Sequence, residues 1–261
     1  MTQPTPRTDM TPSDRLRLDQ LVVTRGLADS RARARDAIQR GHVTVDGHVV
    51  SKPGALVEAT ATLSSSDPAA SYVSRAALKL AGGLDQFGYD PRGLVALDLG
   101  ASTGGFTQVL LERGARRVHA IDVGHGQLHP TLAPDPRVHA VEGLNARDLT
   151  LEDLGEAPEA IVSDLSFISL TLALGPALAL AAPGAFGLFL VKPQFEVGRA
   201  HVGKGGIVRD RQRATESAEA VATWLAGHDG WRVDGLAPSP ITGGDGNAEF
   251  LLGARKADIA T

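Results

Sequence analysis

Val95-Ala96-Leu97-Asp98-Leu99-Gly100-Ala101-Ser102-Thr103-Gly104-Gly105-Phe106 is the stretch on which the fold turns. Val95 to Leu99 is apolar except for Asp98 and reads as a buried strand. A glycine-rich turn follows. Phe106, Val109, Leu110 and Arg113 then recur at helical spacing, and Gly114 closes the helix. Strand, glycine turn and helix make an α/β nucleotide site: the backbone can approach a ligand closely, and the helix start offers free N–H groups. The next strand, Val118-His119-Ala120-Ile121, ends in Asp122, where an acid suits a ribose diol.

Three ligand classes compete for this loop, and a nucleophile-elbow reading stands beside them. A dinucleotide site needs G-x-G-x-x-G, and Ser102 stands at the second glycine. A P-loop needs Gly-Lys-Ser/Thr, and the loop has no lysine. Gly100-Ala101-Ser102-Thr103-Gly104 also spells the G-x-S-x-G elbow of α/β-hydrolases. That elbow needs several earlier strands and a late histidine after an acid. Too little chain precedes it here, and His228 is the only histidine of the last 60 residues. An S-adenosylmethionine site wants an acid, a glycine turn and an acid ending the second strand. Asp98, Gly100, Gly104 and Asp122 match it.

Further apolar runs, Ala160-Ile161-Val162-Ser163 and Phe186 to Val191, end in Asp164 and Lys192. Later strands begin near Trp231 and run through Asn247 to Leu252, and helical stretches fall near 170–181 and 213–227. This alternation predicts a mostly parallel doubly wound sheet, whose chemistry lies beyond the carboxyl ends of the strands. Lys192 is notable there, because burying an ammonium is costly, and Pro193 holds it extended. Glu249 among apolar neighbours is similarly out of place. Lys79 follows a Ser-rich stretch, on a helix. If these two lysines and two acids converge, their charges compensate, and a lysine held partly neutral by burial and by its neighbour can serve as a base.

The 261-residue chain carries a net charge of −4 and no cysteine. The missing cysteine removes disulfides, thiolate metal sites and thiol nucleophiles, the covalent route to pyrimidine C5 among them. Charge is unevenly spread. Arg15 to Lys52 holds eight basic and four acidic residues, net +4, and the remainder is −8, a pattern that points to a polyanion-binding module. Leu18, Leu21 and Val22 predict a helix stopped by Gly26. Ser30 caps a second with Ala34, Ala37 and Ile38 inward, ended by Gly41. Val43-Thr44-Val45 and His48-Val49-Val50 flank Asp46-Gly47, a hairpin signal. Arg17 through Gly47 resembles the alpha-L RNA-binding motif of small-subunit ribosomal protein four and pseudouridine synthases. Candidate RNA contacts are Arg15, Arg17, Arg31, Arg33, Arg35 and Arg40, with Arg75, and with Arg199, Lys204 and Arg209 on a glycine-rich loop over 198–209 expected to be mobile.

Tyr72-Val73-Ser74-Arg75-Ala76-Ala77-Leu78-Lys79-Leu80, Asp98 through Thr107, Asp122-Val123-Gly124-His125-Gly126-Gln127-Leu128 and Val191-Lys192-Pro193-Gln194-Phe195-Glu196 resemble the TlyA family of ribosomal RNA 2′-O-methyltransferases, which has an FtsJ-like catalytic domain. One departure is Ala76-Ala77, where a glycine pair is expected. The resemblance implies an α/β fold: a Rossmann-like class I methyltransferase with a doubly wound seven-stranded sheet, and a small N-terminal α+β RNA-binding domain. Expected boundaries are a disordered arm over 1–14, the RNA-binding domain over 15–63, a linker over 64–71 and the methyltransferase over 72–257. The family's Lys–Asp–Lys–Glu tetrad carries over onto Lys79, Asp164, Lys192 and Glu249. Lys192 is then the base on the ribose 2′-hydroxyl, oriented by Asp164, with Lys79 and Glu249 positioning the ribose. The S-adenosylmethionine pocket would comprise Asp98, Gly100, Ser102, Thr103, Gly104, Gly105, Phe106, Asp122, Val123, Gln127, Asn145 and Asp164, with no metal. The substrate implied is cytidine of large-subunit ribosomal RNA, with small-subunit RNA a second candidate. Ribosomal RNA or subunits are the expected partners, and a cytoplasmic monomer the expected setting. A non-catalytic ribosome assembly factor is the competing class, and the missing prolines after Asp164 argue against an amino-methyltransferase.

Overall fold

The computed structural model describes residues 15–258; the arm expected over 1–14 lies outside them. The chain forms two units, one ending at Ser71 and one beginning at Tyr72.

In the first unit, β1 (Arg15–Arg17) leads directly into α1 (Leu18–Thr24), and Ser30 caps α2 (Arg31–Gln39) by accepting the Arg33 N–H at 3.3 Å. β2 (Val43–Val45) and β3 (His48–Val49) form the expected hairpin. Asp46 and Gly47 both have positive φ (48° and 81°), as a turn of right-handed twist requires. Two strands without a local sequence signal complete the unit: β4 (Leu56–Glu58) pairs with β1, and β5 (Leu63–Ser65) pairs with β2. Leu18, Val22, Ala34, Ala37, Ile38 and Val43 form the core.

The linker expectation for 64–71 needs correction. Ser64 and Ser65 belong to β5, and Ser64 shares a 2.6 Å hydrogen bond with Thr44. Beyond them, Arg40 donates to Asp67 at 2.7 Å and Arg33 donates to the Ala69 carbonyl at 2.7 Å. Small polar residues are compatible with a flexible linker. Here they are held by two arginines of one helix face, which are seven residues apart in sequence.

The second unit contains α3 (Ala77–Phe87), β6 (Val95–Leu99), α4 (Gly105–Glu112), β7 (Arg117–Asp122), β8 (Val138–Glu142), α5 (Leu151–Leu154) and β9 (Ala160–Ser163). It continues with α6 (Leu170–Ala173), α7 (Gly175–Leu180), β10 (Phe186–Val191), α8 (Pro193–Glu196), α9 (Arg211–Ala226), β11 (Trp231–Pro238) and β12 (Phe250–Lys256). The helix expected near 170–181 is two short ones, α6 and α7, because Pro176 opens a new first turn. The sheet has seven strands in the order β11-β12-β10-β9-β6-β7-β8. All neighbours from β10 through β8 are parallel; β12 is antiparallel to both β10 and β11.

Strand alternation fills two cores, one on each sheet face. Phe186, Leu188 and Leu190 pack with Leu80, Leu84, Phe106 and Leu110; Phe189 and Val191 pack with Leu174, Val221 and Leu225. Chain direction reverses its lateral progress between β6 and β9, the switch point at which such sheets open a crevice. Among the described residues no helix is long and apolar enough to cross a membrane.

Replacing Arg40→Met removes the guanidinium that pairs with both Asp36 and Asp67. Limited proteolysis should then cut faster between residues 66 and 71 while the helical circular dichroism is retained. An unchanged cleavage rate would show that the segment is held without this ion pair.

Candidate active site

Four charged side chains meet at the carboxyl edge of the sheet. Lys79 Nζ lies 2.5 Å from Glu249 Oε2 and 3.9 Å from Asp164 Oδ2. Lys192 Nζ lies 2.6 Å from Asp164 Oδ1 and donates to Ser166 Oγ at 2.7 Å. Lys79, Lys192 and Glu249 are buried, and the two positive and two negative charges balance. Isolated buried charges would be prohibitive; a row of alternating charges, Glu249–Lys79–Asp164–Lys192, offsets much of that desolvation.

Each member arrives by a different route. Asp164 and Lys192 cap the ends of β9 and β10, and Pro193 leaves Lys192 extended, at φ −112° and ψ 101°. Lys79 lies in the first turn of α3. Glu249 immediately precedes β12, although the sequence pattern places it within the last strand. The antiparallel register pairs Phe250 with Val191, so the start of β12 meets the end of β10 and Glu249 faces the other three.

Beside the cluster is a cavity of about 330 Å³ lined by Gly100, Ser102, Asp122, Val123, Gln127 and Asp164, with apolar walls from Ile121, Leu144, Ala146 and Leu165. A smaller adjoining cavity of about 170 Å³ includes Thr103, Gly105, Phe106, Ser166, Lys192 and the unexpected Ala76. Asp122 accepts the Ser102 N–H at 2.8 Å and the Gly124 N–H at 2.7 Å, which fixes the carboxylate and leaves a lone pair on each oxygen for a diol. Ser102 Oγ donates to Gln127 at 3.1 Å. Gly104 has φ 93°, and a Cβ there would collide with Leu128 and Leu132, so the turn admits only glycine. An apolar slot, a fixed strand-end acid and a glycine turn suit a nucleoside with a vicinal diol, and the size falls in the ordinary range for small-molecule pockets. S-adenosylmethionine fits this donor set.

Three expected pocket residues line neither cavity: Gly104, whose part is the turn itself, Asn145 and Asp98. Asn145 accepts the Arg147 N–H at 3.1 Å and lines a neighbouring cavity with Val123 and Phe167. Asp98 is fully buried beneath the loop and accepts a 2.7 Å hydrogen bond from Thr107 Oγ1. Burial pushes its carboxyl up to about 7; the nearby Asp164 and Asp122 charges add to the rise and Thr107 opposes it.

Ser166 and Phe167 were missed by sequence reasoning. Nothing in residue spacing marks Ser166 as the partner of Lys192. Phe167 is 90% exposed at φ 66°, and its ring centroid lies 5.3 Å from that of Phe195. The hydrolase reading fails on geometry. Ser102 does have a positive φ of 48°, but its hydroxyl is directed to Gln127, and His228 lies at the end of α9 with Nδ1 3.1 Å from the Trp224 carbonyl.

The sequence matches FtsJ-like methyltransferases over residues 72–256 and the S4 domain over residues 16–63. The chain belongs to the FtsJ-like methyltransferase family, on its TlyA branch. It is 46% identical to the 16S/23S rRNA (cytidine-2′-O)-methyltransferase TlyA of Mycobacterium tuberculosis over 92% of this chain and 90% of that one. Identity to the 23S rRNA (cytidine-2′-O)-methyltransferase TlyA of Campylobacter jejuni is 38%, over 69% of each chain. A solved structure from Streptococcus thermophilus, described as a hemolysin, superposes with a TM-score of 0.73 at 37% identity, covering 94% of this chain and 89% of that one.

The expected RNA-contacting arginines are engaged to different degrees. Arg17 and Arg31 both bind the buried Asp19 at 3.0 Å; Arg17, followed by Arg31, holds the Asp19 carboxyl down to about 2. Arg15 pairs with Glu58 at 2.8 Å, and Arg33 and Arg40 hold 67–69. Arg75 donates to the Thr242 carbonyl at 3.3 Å. Arg35, Arg199, Lys204 and Arg209 are exposed. The 198–209 loop, expected to be mobile, is anchored: Arg199–His201 forms a 3-10 turn, Gly203 N–H bonds the Ile207 carbonyl at 2.9 Å, and the side chain of Asn247 holds Gly206 and Val208.

Asp98 makes stability depend on pH with a definite sign. Its folded pKa is raised, so between about pH 4 and 7 the unfolded chain has released a proton that the folded chain still holds. Asp98 therefore contributes a loss of stability as pH rises through that window. In melts from pH 4 to 7 the parent should lose ground steadily against the Asp98→Asn variant. Parallel curves would refute the buried, protonated assignment.

Proposed function

We propose that the chain methylates the ribose 2′-oxygen of cytidine in ribosomal RNA, using S-adenosylmethionine, with Lys192 as the general base. The reading rests on one observation above all: the charge-balanced cluster of Lys79, Asp164, Lys192 and Glu249 beside a nucleoside-sized cavity. The curated TlyA relatives supply the nucleotide and the RNA; large-subunit RNA is the substrate their two names share, and the Mycobacterium name adds 16S rRNA.

Asp122, Gln127 and the Gly100–Gly105 turn would hold the cofactor, which supplies an electrophilic methyl group when bound. Asp164 and Ser166 aim Lys192 Nζ; once that ammonium has given up a proton to solvent, its free lone pair takes the proton of the 2′-hydroxyl as the ribose oxygen becomes the nucleophile. Lys79, fixed by Glu249, sits where it favours negative charge developing on that oxygen. Phe167 and Phe195 offer an aromatic surface on which an unstacked base can rest while its ribose enters the site. Arg31, Arg35 and the basic 198–209 loop attract the phosphate backbone.

The non-catalytic assembly-factor reading gains nothing from the geometry, since a retired enzyme has no need of two lysines buried against two acids. Incubating labelled cofactor with undermethylated ribosomal subunits separates the two: RNA binding without transfer would favour the assembly factor.

Lys192→Ala should cut methyl transfer by about 10²–10⁴-fold, the usual range for a general base, while cofactor binding survives. Normal turnover in that variant would end the base assignment. Arg31→Ala and Arg35→Ala should each weaken RNA binding across sequences and lower the salt slope by about 1 for each phosphate no longer neutralised. Slopes identical to the parent's would place the RNA elsewhere.

A further inference from the structure

Asn247 is a buried amide that the methyl-transfer reaction does not use. Its Oδ1 accepts the Val208 N–H at 2.9 Å, and its Nδ2 donates to the Gly206 carbonyl at 2.9 Å. Its own carbonyl accepts the Gly243 N–H at 2.9 Å. Both ends of one side chain are therefore committed to a backbone about forty residues earlier in sequence. Two residues later, Glu249 pairs with Lys79, and the Glu249 carbonyl accepts the Ser239 N–H at 2.9 Å.

The backbone that Asn247 holds is a tight glycine turn. Gly203 N–H bonds the Ile207 carbonyl at 2.9 Å, and Gly205 and Gly206 take φ of 80° and 77°. Lys204 stands exposed on this turn and Arg209 exposed just after it, before Asp210 caps α9. A glycine-rich turn has little packing of its own to hold it in place. The Asn247 amide ties the backbone of this turn, at Gly206 and Val208, to the segment that carries Glu249.

We propose that Asn247 is a positioning residue for the RNA substrate. It locks the Lys204 turn to the Glu249 segment, so that a phosphate gripped by Lys204 and Arg209 sets the placement of the ribose against Lys79 and Lys192. Binding energy from a non-reacting phosphate is thereby turned into alignment at the reacting oxygen. The proposal rests on the methyltransferase reading.

The test uses the full-length protein and undermethylated ribosomal RNA, with initial rates measured against RNA concentration and amide hydrogen exchange followed at Val208. Asn247→Ala should raise KM for RNA roughly ten-fold and lower kcat, as expected when two ordinary hydrogen bonds to the loop are removed, with cofactor Kd unchanged. Val208 should exchange faster. In a background of Lys204→Ala and Arg209→Ala, adding Asn247→Ala should raise KM no further, because the cations it serves are gone. A merely structural role would instead multiply the two effects. Asn247→Asp keeps the acceptor for Val208 but sets a carboxylate oxygen against the Gly206 carbonyl. It should reproduce the KM effect; Asn247→Ser, which adds no buried charge and is too short to reach both Gly206 and Val208, should do the same and covers the case in which Asn247→Ala or Asn247→Asp folds poorly. An active parent whose Asn247 variants keep the parental KM overturns this proposal alone. A parent that methylates no RNA, with Val208 still released by Asn247→Ala, overturns the methyltransferase reading instead.

Discussion

The antiparallel pairing of β12 against β10 is the constraint from which the active site follows. Parallel strands β6, β9 and β10 all end at one edge, and a seventh strand running with them would have begun at the opposite edge. At about 3.4 Å per residue, a strand as long as Phe250–Lys256 would have carried Glu249 roughly 20 Å away. Reversal brings it within 2.5 Å of Lys79. Without that carboxylate, Lys79 would be a buried cation whose nearest acid, Asp164, is already engaged by Lys192. The charge balance of the cluster and the pairing of buried Lys79 thus depend on one strand direction.

Burial acts differently on the acids of the site. Asp164 and Glu249 sit against ammonium groups. Asp98, one layer below, has only the Thr107 hydroxyl, and its carboxyl is pushed up to about 7. An acid in a strand-end motif therefore need not be a ligand contact. Here it lies under the loop, while Asp122, held by two backbone amides, faces the cavity.

The basic module shows a similar division of labour. Its net positive charge reads as a polyanion-binding signal, yet Arg33 and Arg40 are occupied with the 67–69 segment, and Arg17 and Arg31 converge on Asp19. Convergence on a buried carboxylate spaces two guanidiniums rigidly and leaves each about half exposed. A count of arginines overstates the number available to RNA, and says nothing of how well those remaining are oriented.

Local chemistry determined much of this protein directly. Apolar runs with glycine and proline punctuation mark β6, α4, β7, β9 and β10; Asp46-Gly47 marks the hairpin; an acid or lysine ending an apolar strand marks Asp122, Asp164 and Lys192. Such signals lie within a few residues of one another, where backbone preference and side-chain periodicity act. Three-residue strands such as β4 and β5 leave no such trace, because their stability comes from a partner distant in sequence. Only the tertiary structure decided that Ser166 supports Lys192, that Glu249 reaches Lys79, that Asn247 holds a turn about forty residues away, and that Asp98 faces inward. Those contacts come from strand order and direction, which hydrophobic periodicity does not encode.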